Sequence, residues 1–197
     1  MKEFEKQILN NTGILEKFED GTATISLEAV EEYLASVKPK KFTLADATLI
    51  LLYAQKDKPI FGRIMLTKEM FLLLNEILEK DDVQDPKFVP YRFGPYSFVL
   101  GNVLSNLEFS GFINRTGRKN SRAEQFTLTD KGKNTATILW NKLSENVRMV
   151  LPKKRKGWDQ LGVNGILKLV YGKYEEYTKN SCIKGRYKNI TSGRGTG

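Results

Sequence analysis

Apolar and polar positions recur with helical spacing over most of this chain and with strand spacing in only a few short stretches. Phe4, Ile8 and Leu9 predict a short helix over 2–10, closed by poor helix formers at 10–12 and by Gly13. Residues 14–26 are ambiguous, with a turn at Glu19-Asp20-Gly21 and strand alternation from Thr22 to Ser26. Ser26 is placed to cap a helix bearing Val30, Tyr33, Leu34 and Val37 on one face, and Pro39 stops it. Residues 1–42 thus read as an N-terminal accessory segment.

The pattern tightens at Thr43. Thr43 and Asp46 have capping-box spacing and open a helix to about Gln55 whose body is almost wholly apolar. A turn at Asp57-Lys58-Pro59 leads to a helix over 62–80, with Ile64, Leu66, Met70, Leu73, Leu74 and Ile77 toward the core. Pro86 and Pro90 keep Phe88 to Phe93 extended. Gly94 and Pro95 are expected to start the next helix, which runs to about Phe109 and stops at Gly111.

A short strand over 112–115, a polar basic loop over 116–123, a returning strand over 125–128 and a Thr129-capped helix to about Val147 follow. That succession is the wing of a winged helix-turn-helix. The expected fold is mainly α with a small β-hairpin wing, and with N- and C-terminal helical extensions. Its parts are the accessory segment 1–42, the winged domain 43–147, a basic helical extension 148–187 and a disordered tail 188–197. In the extension, Trp158, Leu161, Ile166, Leu167, Val170, Tyr174 and Tyr177 keep helical spacing, broken by Gly162, Gly165 and Gly172.

Charge changes the picture because it is uneven. The net charge is +9, yet residues 112–197 alone carry 19 Lys/Arg against 6 Asp/Glu. Such asymmetry points to a polyanionic partner, most often nucleic acid, or else to a solvated, solubilising face. The chain has no histidine and a single cysteine, Cys182, so the commonest general base and thiolate metal sites are missing. No GxGxxG or GK[ST] loop occurs. Asp81, Asp82 and Asp85 read as an exposed acidic turn rather than a cation site. We therefore expect a protein that is not an enzyme and uses no cofactor or metal. No charged-then-apolar leader and no membrane-length apolar run is present, which predicts a cytoplasmic protein without a membrane partner.

Gly62-Arg63 before an apolar helix, Phe71-Leu72-Leu73, the run Tyr91-Arg92-Phe93-Gly94-Pro95-Tyr96-Ser97, the Leu107 to Ile113 stretch and Leu128-Thr129-Asp130-Lys131-Gly132 carry a resemblance. On these residues the chain from Phe61 to Ser181 resembles the YwgA-like family of uncharacterised prokaryotic proteins and, at greater distance, the Panacea or SocA-like antitoxin domains. The resemblance implies a winged-helix fold and partner-binding or regulatory roles, and it supplies no activity. Residues 1–60 lie outside it.

Two function classes stand. In the first, a DNA-binding transcriptional regulator grips duplex DNA by its backbone. Arg115, Arg118, Lys119 and Arg122 would follow phosphates from the wing, joined by Lys153, Lys154, Arg155 and Lys156. Ser97, Asn102, Ser105, Asn106 and Glu108 are the polar positions of the candidate recognition helix, which has no Lys or Arg between Gly94 and Gly111; of these, Ser97, Asn102 and Asn106 are the candidate base contacts. In the second, the protein binds a protein partner, antitoxin-like or scaffolding, or a second copy of itself as a homodimer. Tyr91, Phe93 and Tyr96 offer a stacking surface, or else a core cluster that fixes the helix entry; the core assignment is preferred for Phe93 and Tyr96.

Overall fold

The computed structural model describes residues 15–17, 23–25, 40–56 and 58–190. The chain divides into two compact units, 1–39 and 40–197. In the first, β1 (Leu15–Lys17) and β2 (Ala23–Ile25) pair antiparallel with Leu15 opposite Ile25. β2 falls within the strand expected over Thr22 to Ser26. The helices expected over 2–10 and 26–39, and residues 191–197 of the expected tail, lie outside the described residues.

The second unit is mainly helical with small antiparallel sheets. α1 (Leu44–Tyr53) opens with the capping box: the Asp46 N–H donates to Thr43 Oγ1 at 3.1 Å, and the Thr43 N–H to Asp46 Oδ2 at 2.8 Å. It packs against three other helices and one strand, so apolar residues are needed on every side and Leu49 to Leu52 are all buried. β3 (Ile60–Phe61) leads into α2 (Arg63–Glu76), in which every residue from Met65 to Leu74 is buried. α2 ends four residues before its expected limit. Beyond Ile77 the chain turns to place Asp82 and Gln84 beside Phe42, which takes one backbone hydrogen bond from Gln84 and gives one to Asp82.

The largest departure from expectation follows. β4 (Val89–Tyr91) and β5 (Gly94–Tyr96) form a tight hairpin turning at Arg92-Phe93, so Gly94-Pro95 closes a hairpin instead of opening a helix. α3 (Phe98–Phe109) starts three residues later, where the Ser97 hydroxyl accepts from the Leu100 N–H at 3.0 Å. Its end is as expected: Gly111 adopts φ +70°, the left-handed conformation that closes a helix with least strain in glycine.

β6 (Ile113–Thr116) and β7 (Gln125–Leu128) form the expected hairpin, one residue late on its first strand, with Asn114 opposite Thr127. β3 pairs antiparallel with β7 on its other side, giving the order β3-β7-β6. The Thr129 hydroxyl caps α4 (Asp130–Asn141), accepting from the Gly132 N–H. α4 stops six residues short of Val147 because Ser144 caps a new helix, α5 (Glu145–Lys173). α5 is kinked at Gly162, where φ is +60° and ψ −175°; the expected breaks at Gly165 and Gly172 do not occur. Leu151, Trp158, Ile166 and Val170 of α5 belong to the same core as α1 to α4. Short 3₁₀ turns cover Glu175–Thr178 and Lys184–Ile190, so regular structure reaches three residues into the tail expected to be disordered from 188.

Candidate nucleic-acid interface

The β6–β7 loop is organised by one of the six carboxylates of the basic C-terminal part, Glu124. Glu124 is fully buried; one oxygen takes a hydrogen bond from Arg115 Nε and the other from the Asn120 N–H at 2.9 Å. Arg115 Nη1 also lies 3.7 Å from Glu108 of α3, and the guanidinium sits over the Phe126 ring at 5.6 Å. The Arg115 side chain is only 7 % exposed. It is thus an internal brace holding the loop to the sheet and to the end of α3, and it leaves the set of phosphate contacts. Arg118, Lys119 and Arg122 remain exposed on the loop, and none of them pairs with a carboxylate among the described residues.

Of the basic run in α5, Lys153, Lys154 and Lys156 are exposed as expected. Arg155 is not: it is 0 % exposed. Its Nε donates to Glu69 of α2, itself wholly buried, and its Nη1 lies 2.9 Å from Asp159 one turn on. The cause is helical periodicity. Leu151, Arg155 and Trp158 follow at spacings of four and three, so Arg155 points with its apolar neighbours into the core. Burial pushes the Glu69 carboxyl up to about 8 against the opposing pull of Arg155. The adjacent Lys68 is buried too, donates to the Pro95 carbonyl at 2.6 Å, and is held by burial down at about 7. These groups knit α2 to α5 and to the β4–β5 hairpin.

Ser97 is the third residue withdrawn from the candidate set. It is buried, caps α3, and donates its hydroxyl proton to the Pro86 carbonyl. Asn102 and Asn106 do lie on the outward face of α3. That face also shows Phe98, 60 % exposed, and Phe109, 94 % exposed, and the helix between them carries no cation and one carboxylate, the part-exposed Glu108. Leu100, Leu104 and Leu107 form its buried side.

The aromatic residues of the β4–β5 hairpin are a further correction. Tyr91 and Phe93 are 37 % and 40 % exposed, and Tyr96 is half-buried, so Phe93 is not a core anchor of the helix entry. The hairpin turn lifts it outward. Tyr91, Tyr96 and Phe98 form an edge-packed trio with ring centroids 5.0 to 5.6 Å apart.

Each carboxylate of the acidic turn faces a lysine: Asp81 and Lys40, Asp82 and Lys41, Asp85 and Lys87. Among the described residues no set of three or more His, Cys, Asp or Glu side chains is grouped to hold a metal ion, and no helix is long and apolar enough to cross a membrane. Comparison with protein-family models and with curated proteins finds no match to this chain.

Proposed function

We propose that residues 43–147 form a winged helix-turn-helix module that is not an enzyme and binds duplex DNA by its phosphate backbone. The succession α1, β3, α2, α3, β6, β7 with strand order β3-β7-β6 supports the winged-helix reading, because β3 is the short strand that such a module adds beside its wing. The observation that carries the functional reading is the wing loop itself, with Arg118, Lys119 and Arg122 exposed and without a carboxylate partner among the described residues, on a turn anchored from inside by Glu124. Cations so placed position a protein on DNA without reading its sequence. The absence of any cation from α3 agrees with weak base readout, and regulation of transcription would then rest on a partner. Three wing contacts give a slope of log affinity against log salt near about −2.7, in place of about −3.6 for four, since Arg115 is withdrawn. Titration of a short duplex at several salt concentrations tests this reading.

One observation favours a second reading. Phe98 and Phe109 stand exposed at the two ends of a face with no cation, which suits a protein partner better than a major groove. On that reading the module is antitoxin-like or scaffolding. Replacing Phe109 with Ser would then abolish partner capture and leave duplex binding unchanged.

A further inference from the structure

A cavity of about 670 Å³ opens between the start of α2, the β4–β5 hairpin, the wing tip, the second half of α5 and the last 3₁₀ turn. That volume suits a small organic ligand. Every charged residue lining it is a cation: Arg63, Lys68, Arg92, Arg122 and Arg186. None of these five pairs with a carboxylate among the described residues. The four arginines come from four separate elements and repel one another, with Lys68 held only partly protonated by burial, and the charge they lack is a multiply charged anion.

The rest of the lining selects what carries that anion. Tyr91, Phe93, Tyr96 and Tyr187 supply ring surface, and the part-exposed ring of Phe93 has no core role to account for its place. Thr67, Asn120, Ser121 and Asn164 add neutral donors and acceptors. The α2 N-terminus also borders the cavity through Gly62, Arg63 and Ile64, with no side-chain cap and no acidic residue in its first turn. Its free amides add to the attraction for phosphate oxygens.

We propose that this cavity binds a nucleoside polyphosphate, with the phosphates among the arginines and the base against the hairpin aromatics. The guanidinium fork matches phosphate oxygens in pairs, and flat rings hold a base whatever its edge pattern. The same chemistry occurs in a free nucleotide and at the 5′ end of a triphosphorylated strand. Arg122 belongs to both wing and cavity, so an occupied cavity competes with duplex for that residue.

The test is calorimetric titration of the full chain with ATP and GTP, with a 5′-triphosphorylated oligonucleotide, with adenosine, and with inorganic tripolyphosphate. Nucleoside triphosphates should bind and adenosine should not. Tighter binding of the strand assigns the ligand to a nucleic-acid end, and tighter binding of the mononucleotide to a free nucleotide; either supports the site. Arg92→Ala with Arg186→Ala should weaken binding at least tenfold at unchanged melting temperature. Both positions lie outside the wing loop, so this loss is separable from any loss of duplex binding. Tyr91→Ala should weaken ATP and leave tripolyphosphate unchanged. Absence of binding at millimolar ATP, or equal binding by the Arg92→Ala, Arg186→Ala variant, overturns the site. Tripolyphosphate binding as tight as ATP, with Tyr91→Ala silent, overturns the nucleotide assignment.

Discussion

The β6–β7 hairpin and the basic run of α5 each bring four cations along the chain, and each turns one of them inward. In the hairpin the lost residue is Arg115, held at the base of the loop by Glu124 and near Glu108. In α5 it is Arg155, sunk between Glu69 and Asp159. The surroundings differ. Arg115 sits at the edge of a three-stranded sheet with part of its side chain in contact with water, and it shapes a surface loop. Arg155 lies wholly inside the core and joins two long helices. Charge counted along a chain is therefore not charge presented to a partner, and the residue removed from each set shows what holds that set in place.

The deepest difference should appear in stability. At pH 9, where Glu69 is ionised, Arg155→Ala leaves that carboxylate buried without its counter-charge and should cost about 3–5 kcal/mol in urea denaturation. Replacing Arg155 with Met and Glu69 with Leu together should restore most of that loss, since a well-packed apolar pair removes both desolvation costs. A double variant no better than the single would mean that the cluster matters through packing alone.

Acid and base sharpen the same side of the comparison. Lys68 titrates near 7 in the folded chain against 10.5 ordinarily. Its depressed pKa means that stability is fully present above 10.5 and is lost as pH falls through about 7. Glu69 is raised from 4.5 to about 8, so its contribution is present below 4.5 and lost as pH rises through about 8. The two trends cross near neutrality. Lys68→Met should abolish the gain in denaturation midpoint between pH 7 and pH 10, and an unchanged gain would assign it to another group.

Arg115→Ala should have a smaller effect, about 1–3 kcal/mol, because Glu124 keeps the Asn120 amide and Arg115 touches solvent. Hydrogen exchange at residues 117–123 should quicken in that variant. The smallest effect belongs to Lys153, Lys154 and Lys156, whose joint replacement by Ala should shift stability by less than about 0.5 kcal/mol per site.

What could be read from the chain was local. The Thr43-Asp46 box, the Gly111 stop and the Thr129 cap act over three or four residues and appear where their spacing puts them. β3 was hidden because its two residues gain strand character only from β7, some 65 positions on. At Gly94 to Ser97 two helix-start signals compete, proline at a first helical turn and serine at a cap. The serine prevails because Pro95 is taken up in the hairpin opposite Pro90. The burial of Arg155 was readable from the spacing of Leu151 and Trp158, and the four adjacent cations masked it. The cavity was not readable at all, since Arg63 and Arg186 meet only through tertiary packing.

The exposed half of the comparison rests on Arg118, Lys119 and Arg122, and one titration tests it most directly. Duplex binding of the wild-type chain and of the Arg118→Ala, Lys119→Ala variant should be followed from low to physiological salt. The wild type should show a slope near about −2.7, or near about −5.4 if Lys153, Lys154 and Lys156 also reach phosphates. The variant should be flatter by roughly 2 and weaker to the same degree on unrelated sequences. Equal slopes for the two proteins, or no affinity for any duplex at physiological salt with the β6–β7 loop intact, would contradict the proposal that this loop grips the DNA backbone.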